Sequence, residues 1–106
     1  MKPGRLRPAA EVDLLTMARW YGERGGPLLA EKFFDEARAA LATVEAMPTI
    51  GSPRLGLLCD LPGLRSWALE HFPARWFYFE RDDHLEVVRM LGERENVAAI
   101  LFAGLD

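Results

Sequence analysis

The chain has 106 residues, a net charge of −3 and a single cysteine, Cys59. This length suits one domain over residues 1–106, and a lone cysteine excludes an internal disulfide and fits a reducing cytoplasm. The acidic balance counts against a protein whose main task is direct nucleic-acid binding, because gripping phosphates needs clustered cations. No run of about 18 apolar residues is present, so we expect no membrane span.

The first half of the sequence predicts a short strand followed by two helices. Residues 4–8 form a brief, proline-bounded candidate for an edge strand. Apolar residues recur at helical spacing over residues 9–24 and again over residues 28–47. Glycines at 25 and 26 end the first helix and Pro48 stops the second. This half therefore predicts a helical hairpin with a tight Gly-Gly-Pro link.

The second half predicts a long loop, three strands and a short helix. Residues 48–63 are rich in glycine and proline and are predicted to form a surface loop. Residues 64–70, 75–81 and 85–91 read as strands joined by short links, which favours antiparallel hairpins. Residues 96–105 form a short apolar helix with Asn96 as its N-cap. The expected fold is α+β, with order β-α-α-β-β-β, a helix hairpin packed on a small antiparallel sheet, and a short C-terminal helix.

The middle strand of the three contains four consecutive aromatic residues, in the sequence ARWFYFE. Successive strand residues point to opposite faces, so Trp76 and Tyr78 are expected on one face and Phe77 and Phe79 on the other. The helix pair can cover one aromatic face. The other is left to the short terminal helix or to another molecule.

No catalytic or metal-binding signature stands out in the sequence. His71 could titrate at a strand end, but it lies far from His84 in sequence, and no spacing typical of metal ligands surrounds either. There is no nucleophile elbow or phosphate loop, so neither catalytic residues nor a cofactor are predicted. Four arginines in or beside the strands are the candidate binding residues: Arg65, Arg75, Arg89 and Arg94. They are either solvated side chains lying over aromatics or a cationic groove for an acidic partner or phosphate.

Three stretches then carry a resemblance to a known family: RLRPAAEVDL, AEKFFDEARAALATVEAMPTIGSPR and GLRSWALEHFPARWFYFERDDHLEVVRML. With P-x-x-G, GLR, FYF and VVRML in succession, the chain resembles the ParE/RelE superfamily of bacterial type II toxins, the ParE branch most closely. The resemblance implies the same β-α-α-β-β-β layout. It also implies a cytoplasmic toxin that inhibits DNA gyrase and is neutralised by a cognate, ParD-like antitoxin.

The resemblance also suggests a division of candidate residues between two partners. The four arginines named above would bind the target. Trp76, Phe77 and Phe79 would bind the antitoxin, which in this family folds over the toxin. One departure is that many relatives have a histidine at the end of the last strand, where this chain has Gly92. That departure leaves open a weakened toxin or a different target.

Two alternatives stay open beside gyrase inhibition. RelE-like members of the superfamily cleave mRNA on the ribosome with lysines, arginines and a tyrosine. By spacing, Arg75 and Arg94 match two of those arginines, but Ile100 stands near the tyrosine position and Ser66 and Ala68 occupy the lysine region. Arginine stays protonated and so is poorly suited to proton transfer, which makes nuclease activity the weaker hypothesis. The third hypothesis is a non-toxic binding module with the same fold.

Overall fold

The computed structural model describes residues 1–103, and these form an α+β structure in the predicted order. The predicted helix over residues 96–105 ends beyond the described residues, so its last two positions are not covered. The elements are β1 (Gly4–Leu6), α1 (Pro8–Gly25), α2 (Pro27–Ala46), a 3₁₀ turn (Pro48–Ile50), α3 (Arg54–Leu58), β2 (Leu64–Ala68), β3 (Ala74–Glu80), β4 (Leu85–Gly92) and α4 (Val97–Phe102).

Proline and glycine set the ends of the two long helices. Pro8 and Pro27 occupy the first helical positions, where the missing N–H costs no hydrogen bond. Gly26 separates the helices with φ of 87°, a left-handed conformation that favours glycine. The apolar stripe of α2 is buried as its spacing predicts, at Phe33, Ala37, Ala40 and Val44. The predicted helical hairpin is therefore confirmed.

The four strands form one mixed sheet in the order β1-β4-β3-β2. The predicted antiparallel hairpins are confirmed, because β2 pairs with β3 and β3 with β4 in antiparallel register. The N-terminal strand differs, since β1 pairs with β4 in parallel, Gly4 opposite Leu85. A helical crossover links β1 to the rest of the sheet, and such a connection permits a parallel neighbour.

One face of the sheet, here called the helix face, packs against α1 and α2. Trp76 and Tyr78 both point into this core, as the alternation predicts. The indole Nε1 of Trp76 donates to the carbonyl of Ala37, 2.9 Å away. The Tyr78 hydroxyl donates to the carbonyl of Pro48 at 2.6 Å and accepts from the Gly51 amide at 3.1 Å. Each buried aromatic therefore has its polar atom satisfied, which keeps the cost of burying it low.

The opposite side of the sheet, here called the second face, is covered by two short segments of the chain itself. Phe77 is fully buried there, and α4 supplies Leu101. Leu55 of α3 and Leu61 of the following loop pack against the same cluster. The sequence predicted a surface loop over residues 48–63, and that prediction missed the 3₁₀ turn and α3 that the segment contains. A five-residue helix is too short for periodicity to reveal it.

A β-bulge in β4 changes which residues face each core. Tyr78 pairs with Val87, but its neighbour Phe77 pairs with Arg89, so Val88 is the extra residue. As a result Val87 and Met90 both enter the helix-face core, although a regular strand would send them to opposite faces. The bulge lies where β1 has already ended, so among residues 1–103 no strand pairs with this edge of β4.

Candidate functional site

Arg89 lies at the free edge of β4 and is bound by Asp13 of α1. Its Nε donates to Asp13 Oδ2 at 2.7 Å and a terminal nitrogen donates to Oδ1 at 2.9 Å. The same carboxylate accepts the Met90 amide at 3.0 Å. Hydrogen bonding to Asp13 raises the pKa of Arg89. Three of the donors at this edge are therefore satisfied inside the protein, and the guanidinium of Arg89 is engaged there.

Arg65 is also engaged by the chain itself. It lies in β2 opposite Tyr78, so it shares the helix side of the sheet. Its guanidinium donates to the Gly51 carbonyl at 2.7 Å and to the Thr49 carbonyl at 3.2 Å. These bonds attach the 3₁₀ turn to the β2 edge of the sheet. Both acceptors are uncharged backbone carbonyls, so these bonds are not an ion pair.

Arg75 points to the second face, because it alternates with Trp76 along β3. It stands opposite Ala68 of β2 on one side and Leu91 of β4 on the other. Its side chain is partly exposed, but its Nε is buried and has no hydrogen-bond partner among residues 1–103. Of the four candidate arginines, this one combines a position on the sheet with an unsatisfied donor.

Arg94 lies in the exposed turn between β4 and α4. Burial raises the pKa of Tyr21 in α1, and the charge of Arg94 acts to lower it. The structure therefore does not gather the four arginines into one groove. Arg65 and Arg75 point to opposite faces, Arg89 is bound at an edge, and Arg94 lies beyond the strand end.

The aromatic candidates differ sharply in accessibility. Trp76 is 1 % exposed and Phe77 is 0 % exposed, each inside one of the two cores. Phe79 is partly exposed, with the guanidinium of Arg81 lying 4.8 Å from its ring centroid. A partner can therefore contact Phe79 directly. Trp76 and Phe77 offer it no surface while the covering segments stay packed.

Sequence reasoning missed a set of exposed apolar residues around the second face. Leu57 and Leu58 of α3 are 69 % and 65 % exposed, and Phe102 of α4 is 66 % exposed. They lie on the two short helices that cover this face, while other residues of the same helices are buried beneath them. The two adjacent leucines within a glycine- and proline-rich segment were the available signal, but the sequence alone could not show that both side chains are exposed.

A titratable pair joins α2 to the β2–β3 turn. His71 Nδ1 lies 2.7 Å from Glu36 Oε1, and the His71 amide donates to Glu36 Oε2 at 2.6 Å. Hydrogen bonding to Glu36, followed by the charges of Glu36 and Glu70, raises the pKa of His71. Burial acts to raise the pKa of Glu36, but hydrogen bonds from His71 outweigh it and the net shift is downward. The pair borders a surface cleft that Phe72 and Lys32 also line.

Within residues 1–103, no three His, Cys, Asp or Glu side chains converge in a way that could hold a metal ion. None of the helices in that range has the length and apolar composition needed to cross a membrane.

The comparisons with known proteins extend this description. Residues 5–97 match the family described as the ParE toxin of the type II toxin–antitoxin system parDE. The match covers most of the chain, so this protein is a toxin of the type II toxin–antitoxin class. More narrowly, the chain belongs to the ParE toxin family, as the sequence resemblance predicted.

A solved structure supports the fold. It is described as the chromosomal ParDE TA system from P. aeruginosa and superposes with a TM-score of 0.74. The alignment covers 87% of this chain and 96% of that chain at 19% sequence identity. At this identity the likeness concerns the fold. A search of curated proteins found no match to this chain.

Proposed function

We propose that this protein inhibits DNA gyrase and is neutralised by a cognate antitoxin. Membership of the ParE family is the observation that carries the proposal, because the superfamily's ParE branch is the one associated with gyrase. Cytoplasmic action follows from the same proposal, since gyrase acts on chromosomal DNA. The four candidate arginines remain the proposed target contacts, and the exposed Arg94 and the partly exposed Arg75 are more available than Arg65 and Arg89, whose guanidinium groups are engaged by the chain itself.

The chemistry of the second face argues against the ribonuclease alternative. The positions where RelE-like members have lysines are occupied by Ser66 and Ala68, which cannot act as cations. Ile100, near the expected tyrosine position, is an aliphatic residue packed against the second-face core. Arg75 can hold a phosphate but is poorly suited to transferring protons. Nuclease chemistry therefore lacks its acid and base here.

The proposal also accounts for the exposed part of the aromatic strand. Phe79 and the apolar residues of α3 and α4 offer surface to a protein partner, as expected for a chain that functions in a complex. Trp76 and Phe77 were predicted as antitoxin contacts as well. Phe77 is buried beneath α3 and α4, so an antitoxin would contact it only if one of those helices moved on binding. Trp76 is buried on the helix face and would contribute only by holding the sheet in its binding shape.

The test is induced expression of the protein with and without any small reading frame found directly beside its gene. The expected result is growth arrest, loss of negative supercoiling in a reporter plasmid, and intact mRNA, all reversed by the neighbouring frame. Purified protein should inhibit gyrase-catalysed supercoiling of relaxed plasmid, with a heat-denatured sample as control. Codon-specific mRNA cleavage in a defined translation system, abolished by Arg75→Ala, would replace this proposal with the ribonuclease alternative. Normal growth with intact supercoiling and mRNA would favour the non-toxic binding module.

A further inference from the structure

The outer edge of β2 is only partly occupied by the chain itself. Ser66 exchanges two backbone hydrogen bonds with Ser52, donating its N–H at 2.9 Å and accepting the Ser52 N–H at 2.8 Å. Backbone groups two residues apart in a strand point the same way, so the N–H and C=O of Ala68 also point away from β3. Within residues 1–103, neither of these Ala68 groups has a hydrogen-bond partner. The edge of β2 therefore offers one backbone pair to an added chain.

A groove, here called the α2–β2 groove, runs beside this edge. It consists of two open clefts, of about 660 and 360 Å³, which share Glu36 as a lining residue. Its α2 wall is formed by residues at helical spacing: Leu29, Lys32, Glu36, Ala39 and Thr43. At 1.5 Å per residue this wall is about 21 Å long, which matches about six residues of extended chain.

The cleft beside Ala68 carries negative charge next to an aromatic ring. Among the described residues that line it, the charged ones are Glu36 and Glu70. Trp67 lines the same cleft and is partly exposed, and the face of an indole ring attracts cations. Two carboxylates and an indole are together complementary to a cationic side chain.

Both carboxylates keep the capacity to accept further hydrogen bonds. The side chain of Glu70 is 82% exposed, and its contact with His71 Nε2 at 3.9 Å is too long for a hydrogen bond. Glu36 contacts the amide and the ring of His71, but a carboxylate has about four acceptor sites, so sites remain. The same two charges would repel a phosphate group, which favours a basic polypeptide over a nucleic acid. The net charge of −3 acts in the same direction.

We propose that the α2–β2 groove binds an extended, basic segment of a partner protein. The backbone of the segment pairs with the N–H and C=O of Ala68, and a lysine or arginine side chain lies against Trp67 between Glu36 and Glu70. In this mode the main-chain hydrogen bonds supply affinity, and the cleft that receives the side chain supplies specificity. The partner is defined by this chemistry alone, so the proposal does not rest on the proposed function.

The direct test is an NMR titration of the ¹⁵N-labelled full chain, which follows the backbone amide of Ala68 and the indole N–H of Trp67. The probe is the blocked hexapeptide acetyl-Thr-Val-Arg-Val-Thr-Val-amide at constant ionic strength. Its matched control has citrulline in place of arginine, which keeps the shape of the side chain and removes the charge. We expect the arginine peptide to shift both signals saturably and to bind about fivefold more tightly than the control. Equal affinity of the two peptides, or no saturable shift at Ala68, would overturn the proposal.

A charge variant with a matched control tests the role of the carboxylates. Glu70→Gln should weaken binding of the arginine peptide about threefold, as expected for the loss of an exposed ion pair. Glu31→Gln makes the same change in net charge at an exposed position of α2 that lines neither cleft, and it should bind the peptide as the wild type does. Equal weakening by both variants would show a general effect of charge and would overturn the proposal.

A steric variant tests whether the peptide occupies the groove. Ala39 is exposed on the α2 wall, so Ala39→Leu narrows the groove without changing the core and should weaken the peptide severalfold. Ala42→Leu is the control, since Ala42 is exposed on the same helix but lines neither cleft. Binding that Ala39→Leu leaves unchanged would place the peptide elsewhere and overturn the proposal. These titrations need neither gyrase nor antitoxin, so their failure is distinguishable from failure of the proposed function.

Discussion

Asp13 and Arg89 are 76 residues apart in sequence and form a two-pronged ion pair where β4 loses its neighbour β1. The same carboxylate satisfies the Met90 amide, which follows the bulge. One side chain of α1 therefore fixes both the position of the helix and the irregular register of β4. This relationship assigns Arg89, one of the candidate target residues, a structural contact.

The first prediction concerns this ion pair. Asp13→Asn should lower the free energy of unfolding by about 1.5–3 kcal/mol, since both side chains are mostly shielded, at 13% and 22% exposure, and the hydrogen bonds involve charges. The midpoint of thermal unfolding should fall by roughly 6 °C or more. Asp35→Asn, on the exposed surface of α2, is the control and should stay within about 0.5 kcal/mol. Equal stability of the two variants would mean that the pair is not needed to hold β4.

The second prediction separates the candidate arginines by function. Arg75→Lys keeps the charge but loses the planar fork, so target binding should weaken about tenfold to a hundredfold while the fold is retained. Arg94→Lys should weaken it as well if the exposed turn joins the same contact. Growth inhibition on induction measures the effect, and melting temperature checks the fold. The control is Arg38→Lys on the exposed side of α2. Full toxicity of both folded variants would move the target site away from these arginines.

The third prediction is a pH dependence of stability from His71 and Glu36. Because the pKa of His71 is raised above 6.5, its contribution is fully present below pH 6.5 and is lost as pH rises through the folded-state value. Because the pKa of Glu36 is lowered below 4.5, its contribution is present above pH 4.5 and is lost as pH falls through the folded-state value. The stability difference between the wild type and His71→Ala should therefore be largest between those two pH values.

The measurement for this pair is urea unfolding of both proteins across that pH range and up to alkaline pH. His84→Ala is the comparison variant, since the hydrogen bond of the His84 ring goes to the adjacent Asp83 side chain and not to another helix or strand. A wild-type advantage over His71→Ala that stays constant with pH would show that the ion pair does not contribute in solution.

The fourth prediction concerns the partner. The protein should be stabilised by the antitoxin and should co-purify with it, because binding to the native state alone raises stability by mass action. At a partner concentration of about a hundred times the dissociation constant, the gain is about 2.7 kcal/mol. Thermal unfolding of the protein with and without the antitoxin measures it. A monodisperse monomer whose melting temperature the antitoxin leaves unchanged would contradict the prediction.

Most of the secondary structure could be predicted because its signals are local. The stripe of α2 and the prolines at both its ends mark that helix within the sequence itself. Asn96 was predicted as an N-cap, and its side chain accepts the Ala99 amide at 3.1 Å. The short helix α3 was missed because five residues carry too little periodicity, and the bulge at Val88 was missed because only pairing with Phe77 reveals it.

The candidate site could be predicted only as a set of residue types. The sequence identified four arginines near the strands, but their partners lie far away along the chain. Arg65 donates to the carbonyls of Thr49 and Gly51 at the 3₁₀ turn. Arg89 donates to the carboxylate of Asp13 in α1. Nothing in the local pattern distinguishes these from Arg75, which keeps an unsatisfied donor within the described residues.

The sequence by itself determined the helix hairpin, the three-stranded meander, the two faces of the aromatic strand and the family. These depend on spacing and on turn residues, which act over a few positions and can be read along the chain. Only the tertiary structure decided that β1 pairs with β4 in parallel and that α3 and α4 cover the second face. It also decided that Asp13 forms an ion pair with Arg89, while Arg75 remains partly exposed. Those outcomes depend on contacts between residues distant in sequence, and such contacts form only when the whole chain has packed.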